Sequence, residues 1–480
     1  MPPQTENRPL EGLPRATQSI CPLCKAVITA ELFVRDGRVW LRKRCPDHGR
    51  FESVVYGDAE RYVEIQRYDK PGTEPLERQT ARADGCPHDC GICPEHRQHT
   101  CLGIIEVNTG CNLDCPICFA ESGTGHQPDG YSLTLEEVES MLDAFVRAEG
   151  EPESVQLSGG EPSIHPQILD MLAAAKRRGI RLVMLNTNGI RLARDPRFAP
   201  ALAGLGVHVY LQFDGFKDST QLAIRGRRLQ DEKLRALDQC AEAGVSVSLA
   251  AAIERGLNED EAGEIVRFGV DHPAVTGVFF QPVTHSGRYL DFDPAQRLTN
   301  VDVVRAVCEQ LPDWFREDDF IPVPCCSPTC RSATYALYDG RDLVPLPRLV
   351  DVDRYLDYVT NRAVPDLEVR EALEGLFSAK AAGGTQPTAE RLECVACSTG
   401  LPGELREVAA RGFMIVVQDF QDAFTLDVEK LRKCCVSEIV PDGRLIPFCA
   451  YNSVGYREQV RAQRSNGGSR ARAGIESGVR

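Results

Sequence analysis

The stretch Cys111–Ala120 reads CNLDCPICFA and places three cysteines in one short segment with the spacing CxxxCxxC. A closed structural zinc site needs four protein ligands, so three thiolates leave such a site incomplete. A [4Fe-4S] cluster held by three thiolates instead keeps one iron free for a substrate or a cofactor. Taken alone, the spacing also fits a zinc knuckle with a distant fourth ligand, or chance in a cysteine-rich chain. The flanking sequence therefore has to distinguish these interpretations.

The flanking sequence predicts that this loop joins a strand to a helix. Residues 102–108, LGIIEVN, form an apolar run typical of a buried strand. Thr134 and Glu137 have the Thr-x-x-Glu spacing of a capping box, which marks the start of a helix. Further along, the apolar residues 155–158 lead into Gly159–Pro162, which reads GGEP. Glycines let the main chain approach a ligand closely, and a glutamate can accept a charge-assisted hydrogen bond from an ammonium group.

Together, the cysteine loop, the aromatic Phe119 that follows it and the GGEP turn resemble the radical S-adenosylmethionine (SAM) enzymes. The resemblance implies that the loop cysteines hold the catalytic [4Fe-4S] cluster and that the turn residues Gly159, Gly160 and Glu161 hold the methionyl amino group of SAM. It also implies that reductive cleavage of SAM gives a 5'-deoxyadenosyl radical, which takes hydrogen from a C–H bond. Without the cysteine loop, GGEP fits an ordinary turn equally well. The three catalytic residues implied are Cys111, Cys115 and Cys118.

Strands and helices alternate through residues 102–290, which predicts a parallel sheet with helices on its outer face. The α/β pattern gives six βα units, in agreement with the partial (β/α)6, TIM-like barrel of the radical SAM enzymes. After the two strands already described, the predicted strands cover 180–185, 207–213, 245–253 and 276–281, with helices over 165–178, 231–243 and 258–268.

Polar residues follow several of these strands, where barrel enzymes place their active-site groups. The resemblance puts Asn188, after the third strand, near the carboxylate or ribose of SAM. Gln212 and Asp214 follow the fourth strand and are expected to meet ribose hydroxyls or substrate, and Gln281 ends the sixth. For each residue, a local turn-capping role is an equally good explanation.

Two further features of this region have ordinary explanations. Arg225 and Arg227 suit either an anionic substrate group or a solvated surface pair. Cys240 and Cys308 fall in or near predicted helices, so we expect them to be buried packing residues.

Composition narrows the class of protein. The chain has 480 residues, a net charge of -15 and 20 cysteines. Its acidity argues against a wide grip on a nucleic-acid backbone. The cysteines fall in C-x-x-C-type groups, which indicates metal ligation in a reducing cytoplasm rather than a disulfide framework. The polar start, Met1–Ile20, predicts no secretory signal, and no apolar run is long enough to span a bilayer.

The N-terminal region predicts one mononuclear metal site. Cys21 and Cys24 are separated from Cys45 and His48 by residues 30–41, which read as a hairpin turning at Asp-Gly. Two ligand pairs flanking a hairpin are typical of zinc ribbons, and a Cys₃His set favours zinc, although iron remains open. The weakest member is His48, for which an ordinary surface histidine is the alternative.

A second N-terminal group predicts an auxiliary cluster. Cys86, Cys90, Cys93 and Cys101 supply four thiolates, which fits a closed [4Fe-4S] cluster, with a second zinc site as the alternative. The first three repeat the CxxxCxxC spacing of the later loop. We assign SAM to the later copy because only that copy lies between a strand and a capped helix and precedes GGEP.

The C-terminal region supplies a third group of cysteines. We expect one further auxiliary [4Fe-4S] cluster there. Cys394 and Cys397 either complete it or form the rim of the active site. The tail from Arg461 is rich in arginine, serine and glycine, which predicts disorder. The ligands that we favour for this cluster are Cys326, Cys330, Cys435 and Cys449.

The end of the chain resembles one radical SAM subgroup in particular. The segments carrying this resemblance are 413–420, FMIVVQDF, 434–436, CCV, and 441–452, PDGRLIPFCAYN. That subgroup includes the archaeal tetraether lipid synthase and the methanogen enzyme that methylates the dihydropterin precursor of methanopterin. The resemblance implies methyl transfer or carbon–carbon bond formation at an unactivated carbon of a pterin-like or lipid substrate. A reducing partner such as ferredoxin or flavodoxin is also implied.

Two other classes stay open from the residues alone. A multi-cluster electron-transfer protein would account for the cysteines but would give GGEP no purpose, and a zinc-rich nucleic-acid module conflicts with the acidity. The predicted organisation has four parts: an N-terminal metal region over 1–101, the barrel over 102–290, a C-terminal auxiliary-cluster region over 291–460 and a tail over 461–480.

Overall fold

The structure is a computed structural model that describes residues 10–124, 130–338, 343–349 and 412–464. Within these ranges the chain forms two β-sheets, one of four strands and one of twelve. Cys394 and Cys397 lie outside the described residues. The sequence predicts a disordered tail from residue 461, but residues 461–464 continue a helical segment that starts at residue 456.

The four-stranded sheet is an antiparallel meander in chain order. Asp36 and Gly37 form the turn of its central hairpin, with φ of 51° and 70°. Two residues with positive φ are the geometry of a tight hairpin turn, and Asp-Gly suits that geometry. This is the hairpin that the sequence predicts. The strands are β1 (Arg15–Ile20), β2 (Val27–Arg35), β3 (Arg38–Cys45) and β4 (Gly49–Tyr56), followed by α1 (Ala59–Glu64).

Six parallel strands form the centre of the larger sheet, in chain order from β5 to β10. They are almost continuously buried, as expected for strands with both faces covered. The (β/α)6 prediction is confirmed. The strands are β5 (Leu102–Asn108), β6 (Ser154–Gly159), β7 (Leu182–Thr187), β8 (His208–Gln212), β9 (Val247–Ile253) and β10 (Val275–Pro282).

The helices between these strands place their apolar sides against the sheet. Thr134 and Glu137 form the predicted capping box at the start of α2. Buried side chains from helices and strands form one continuous core cluster. The helices are α2 (Leu135–Glu149), α3 (Ile168–Arg177), α4 (Ile190–Arg194), α5 (Phe198–Leu205), α6 (Asp218–Arg225), α7 (Gln230–Ala243) and α8 (Ala262–Asp271).

The C-terminal region adds strands to both edges of the barrel sheet. At one edge β14 (Gly412–Gln418) pairs parallel with β10, and β12 (Arg331–Tyr338) pairs antiparallel with β14. At the other edge β15 (Val436–Ile439) pairs parallel with β5. The remaining elements are α9 (Asn300–Gln310), β11 (Ile321–Pro322), β13 (Leu343–Pro345), α10 (Val428–Leu431), β16 (Leu445–Pro447) and α11 (Phe448–Ser453).

The inner face of the barrel shares a second buried cluster with the N-terminal sheet. Met184, Tyr210 and Phe279 from the barrel belong to the same cluster as Leu32 and Leu41. In the described part of the chain, no helix has the length and apolar character needed to cross a membrane.

Candidate active site

The CxxxCxxC loop leaves the carboxyl end of β5 and forms one wall of a large cavity. Cys115 is buried, whereas Cys111 and Cys118 are half-buried. Burial raises the pKa of Cys111 to about 12 and also raises the pKa of Cys115. The thiols therefore release protons when a metal centre binds. Leu113 packs beside them and makes this part of the wall apolar.

Three arginines hold the loop in place by donating to its main-chain carbonyls. Each guanidinium satisfies an acceptor that the irregular loop leaves without a secondary-structure partner. None of the three was singled out from the sequence, because their positions far along the chain carry no motif. The contacts are Arg288 Nε to Cys115 O at 2.7 Å, Arg288 Nη2 to Ser122 O at 2.6 Å, Arg457 Nη1 to Phe119 O at 2.6 Å and Arg461 Nη2 to Ala120 O at 2.6 Å.

The two glycines of the GGEP turn let it pack against the main chain that leads into the cysteine loop. A Cβ on Gly159 would lie 2.3 Å from Asn108 O, and one on Gly160 would lie 2.2 Å from Gly110 O. The turn is fixed there by hydrogen bonds from Gly160 N to Asn108 O, 2.8 Å, and from Glu161 N to Gly110 O, 2.9 Å. The close approach that needs glycine is thus made to the protein itself. Both glycines also line the cavity.

The Glu161 carboxylate links this turn to the end of β7. It is 1% exposed. Its oxygens accept hydrogen bonds from Ser163 N at 3.1 Å, Thr187 Oγ1 at 2.6 Å and Asn188 N at 2.8 Å. Three protein donors therefore satisfy the group that the sequence suggested for an ammonium. Contact with the SAM amino group stays a prediction.

Asn188 caps a turn and also lines the cavity, and its contact with SAM stays a prediction. Its Oδ1 accepts from Ile190 N at 3.0 Å, which caps the turn before α4. Its Nδ2 donates to Asn112 Oδ1 at 2.6 Å, so it also reaches the cysteine loop, and it lines the cavity. Lys233 donates to Asn188 O at 2.6 Å, and burial lowers the pKa of Lys233 to about 8.

Asp214 contacts protein groups in this structure. Its oxygens accept from Arg225 Nε and Nη2 at 2.6 and 2.7 Å and from Ala252 N at 3.0 Å. The carboxylate thus forms a bidentate ion pair, and its contact with a ribose or a substrate stays a prediction. A carboxylate after a strand does not reveal from its residue type whether its partner is a ligand or an arginine.

Arg225 lines the cavity, so the solvated-pair explanation holds only for the exposed Arg227. Burial opposes the charge of Arg225, but Asp214 and the nearby loop cysteines outweigh it and raise the Arg225 pKa. Gln212 also lines the cavity and, in the amide orientation that satisfies both groups, accepts from Arg225 Nη1 at 2.7 Å. These residues place a guanidinium, paired with the Asp214 carboxylate, beside the cysteine loop.

The far wall of the cavity comes from segments that sequence analysis did not connect with the barrel. Gln281 of β10 lines the cavity and donates to the Tyr210 hydroxyl at 3.0 Å. Beyond it lie Arg331 and Gln418, from the strands added at that edge of the sheet. Their strand pairing is a property of the whole fold, which explains why local sequence did not reveal them. Phe420, Phe448 and Asn452 complete this wall.

The thiol of Cys101 belongs to a different group from the predicted one. Its Sγ lies within 4.8 Å of those of Cys325 and Cys435, not in the Cys86 set. The reason is strand register: Leu102 pairs with Val436, and Cys101 N donates to Cys435 O at 2.9 Å. Because β15 runs beside β5, the residues preceding the two strands are brought together.

Three of the four predicted C-terminal ligands lie near one another, because Cys326 interacts with Cys330 and Cys435 as well as with Cys325. Cys449 interacts most strongly with Cys434 and also with Cys330. The three cysteines Cys86, Cys90 and Cys93 remain together and line a separate small pocket with His96 and Arg432. Burial raises the pKa of Cys86 to about 12.

The predicted N-terminal metal set is brought together as one group. The ligand atoms of Cys21, Cys24, Cys45 and His48 all lie within 4.8 Å of one another. His48 Nδ1 is 3.6 Å from Cys21 Sγ and 3.4 Å from Cys45 Sγ. Burial opposes the thiolate of Cys21, but main-chain donors and the neighbouring thiols lower its pKa to about 7. An anionic thiolate near neutral pH favours metal binding.

A three-cysteine loop at the carboxyl end of the first barrel strand, packed on a GGEP turn and open to a cavity, defines a radical SAM enzyme. Residues 105–269 match the Radical SAM superfamily, and residues 13–57 match the HMPTM N-terminal zinc ribbon domain. The chain is 30% identical to 7,8-dihydro-6-hydroxymethylpterin dimethyltransferase of Methanocaldococcus jannaschii over 93% of this chain and 94% of that one. The chain belongs to the family of that dimethyltransferase.

More distant similarities cover less of the chain. It is 29% identical to GTP 3',8-cyclase of Rhodopirellula baltica over 51% of this chain and 66% of the cyclase. A crystal structure of a radical SAM methyltransferase from Sphaerobacter thermophilus aligns with a TM-score of 0.32 and 14% identity, covering 59% of this chain and 74% of that one.

Family membership confirms the resemblance stated from the sequence. The chain is a radical SAM enzyme, so it uses a [4Fe-4S] cluster, SAM, a reductant and a small-molecule substrate. The alternative of an electron carrier without SAM chemistry is not supported.

Proposed function

We propose that this chain transfers methyl groups to carbon atoms of a dihydropterin. The observation that carries this proposal is the similarity to the Methanocaldococcus jannaschii dimethyltransferase, which extends over nearly the full length of both chains. The chain also matches the HMPTM N-terminal zinc ribbon over residues 13–57, and segments from the barrel and the C-terminal region line the cavity. The segments that line the cavity would contact a substrate. Similarity over nearly the full length of the two chains therefore favours the same substrate class for both.

The donor chemistry of the loop fits the catalytic cluster. Cys111, Cys115 and Cys118 offer three soft thiolates on the cavity wall, and iron–sulfur clusters are held by thiolates. When bound, the cluster and SAM supply on reduction the 5'-deoxyadenosyl radical that removes a hydrogen atom from an unactivated C–H bond. The chain's own contribution is to fix these thiols and to exclude water from the cavity.

The residues that we assign to SAM surround this loop. Gly159 and Gly160 expose main-chain groups beside it, while Asn188, Gln212 and Gln281 present amides to the cavity. Arg225 would complement the SAM carboxylate, because it is a buried cation in the cavity wall. Glu161 and Asp214 would act indirectly, by holding Asn188 and Arg225 in position.

We assign two auxiliary clusters and one zinc ion to the remaining cysteines. One cluster would be held by the group around Cys101, which contains Cys325, Cys326 and Cys435. The other would be held by Cys86, Cys90 and Cys93, with Cys434 as the neighbouring thiol that acts on Cys90. The Cys₃His group of the ribbon suits zinc. These centres need a reducing compartment, for which we propose the cytoplasm, with ferredoxin or flavodoxin as reductant.

The proposed function is tested by anaerobic reconstitution of the full chain, followed by reduction with SAM and 7,8-dihydro-6-hydroxymethylpterin. Mass spectrometry should show 5'-deoxyadenosine and a pterin heavier by one or more methyl groups. Cys118→Ala should give neither product. Cys240→Ala, which changes a buried cysteine in the barrel core, is the matched control. Nucleoside formation with an unchanged pterin would contradict the proposal.

A further inference from the structure

Three neighbouring strands present a row of polar side chains to the cavity. Phe280 of β10 pairs with Val417 of β14, so Gln281 and Gln418 follow side by side at the carboxyl ends of these strands. Gln418 in turn pairs directly with Arg331 at the start of β12. Side chains at neighbouring positions of a sheet share a face, and all three line the cavity. The row ends on Arg331.

Arg331 is a buried cation with unused hydrogen-bonding capacity. Arg331 and Gln418 are each 5% exposed. Arg331 Nε donates to Gln418 Oε1, and Gln418 Nε2 donates to Cys330 O at 3.0 Å. Among the residues that the structure describes, no side chain or carbonyl accepts a hydrogen bond from either terminal nitrogen of Arg331. Because Arg331 lines the cavity, these two terminal nitrogens are available to an occupant of the cavity.

The surroundings of Arg331 select the kind of occupant. A hydrocarbon chain would leave the guanidinium and the amides without partners, which is costly in a buried site. Aromatic rings of Tyr210 and Phe279, 5.3 Å apart between centroids, line the same cavity and suit a planar ring. The combination favours a flat heterocycle with a polar edge over a lipid.

We propose that Arg331 is the specificity-determining residue that binds the lactam carbonyl edge of the pterin ring, with Gln418 as the residue that positions it. This inference rests on the proposed function and names the part of the chain that recognises the substrate. On one edge of a 7,8-dihydropterin, the C4 carbonyl oxygen and the imine nitrogen N5 are two neighbouring acceptors, whereas the lactam N3–H on the other side of the carbonyl is a donor. The two parallel donors of a guanidinium match this pair of acceptors, whereas a lysine ammonium matches only one acceptor.

Direct binding of 7,8-dihydro-6-hydroxymethylpterin to the reconstituted full chain tests this assignment. Titration calorimetry should show that Arg331→Gln weakens binding at least about tenfold, as expected for a hydrogen bond to a charged group. Arg331→Lys should recover only part of the loss. Arg227→Gln, which changes the exposed arginine paired with Glu232, should bind like the wild type.

The iron content of each variant must be measured beside these titrations, because four cysteine thiols act on the charge of Arg331. If Arg331→Gln loses iron, Gln418→Met becomes the deciding variant. This variant removes the acceptor of Arg331 Nε and the donor to Cys330 O but keeps the guanidinium, and it should weaken binding severalfold with the iron retained. If the wild type binds the pterin and the iron-loaded variants bind it with the same affinity, the role of Arg331 is overturned and the proposed function stands. No wild-type binding at all would overturn both. The four thiols that act on the charge of Arg331 are those of Cys101, Cys325, Cys326 and Cys435.

Discussion

Two groups of cysteines in this molecule are built in opposite ways. The catalytic loop takes Cys111, Cys115 and Cys118 from one turn of chain and places them on the wall of an open cavity. The group around Cys101 takes its thiols from three distant segments and buries all of them except the half-buried Cys325, whose Sγ is 3.7 Å from Cys435 Sγ across 110 positions. The first group is a local motif, whereas the second exists only once the strands are paired. A cysteine pattern therefore reveals a metal centre only when its ligands are neighbours in sequence.

The largest expected difference between the two groups lies in SAM cleavage. Cys118→Ala should abolish 5'-deoxyadenosine formation because we assign Cys118 as a ligand of the centre that binds SAM. Cys435→Ala should lower the iron content while the nucleoside is still detected, because it affects a separate centre. Quantitative iron analysis and mass spectrometry of the same samples provide the measurement. Complete loss of the nucleoside in both variants would mean that the two groups do not act separately.

The next largest effect is expected on stability, from the arginine that holds the catalytic loop. Arg457 forms a buried ion pair with Glu106 at 2.5 Å and also holds Phe119 O. Arg457→Met should lower the free energy of unfolding by about 3–5 kcal/mol, because it leaves a buried carboxylate without its partner. Urea unfolding of the chain without its metal centres measures this change in the free energy of unfolding.

A matched double variant sharpens that measurement. Glu106→Gln combined with Arg457→Met should recover part of the loss, since the buried charge is then removed as well. Equal losses in the single and double variants would show that the packing of Arg457, rather than its charge, stabilises the loop.

Sequence information predicted the local parts of this structure well. The six strands, the capping box at Thr134 and the ribbon hairpin follow from periodicity and from turn chemistry within a few residues. The partners of Cys101 and the position of Arg331 did not follow, because both depend on strands that pair across the sheet. The ion pair of Asp214 with Arg225 did not follow for a different reason, since a residue type does not reveal which protein group it contacts.

The contact between GGEP and the catalytic loop should respond to a single methyl group. Gly160→Ala places a Cβ 2.2 Å from Gly110 O, so the two loops must separate. We expect a loss of about 1–3 kcal/mol in stability together with weaker SAM binding. Thermal unfolding and calorimetric titration with SAM measure the two effects.

Gly204→Ala is the control for this substitution. Nothing lies within 4 Å of a Cβ at Gly204, which is in α5, and alanine is the better helix former. It should therefore be neutral or slightly stabilising. Equal behaviour of the two alanine variants would contradict the close packing of the loops.

The smallest effect concerns a cysteine outside every group. Cys240 is fully buried in the barrel core, so we expect it to pack rather than to bind metal. Cys240→Ala should cost about 1 kcal/mol in stability and leave the iron content unchanged. Iron analysis beside denaturant unfolding checks both. A loss of iron would show that burial alone does not separate packing cysteines from ligands.

The central claim is that the catalytic loop faces the cavity in which a pterin C–H bond is broken. A dihydropterin deuterated at its carbon positions tests this claim directly, with the label followed by mass spectrometry of 5'-deoxyadenosine. We predict that the nucleoside formed by the wild type contains deuterium and that Cys118→Ala forms no nucleoside. Methylated pterin accompanied by a deuterium-free nucleoside would contradict the claim.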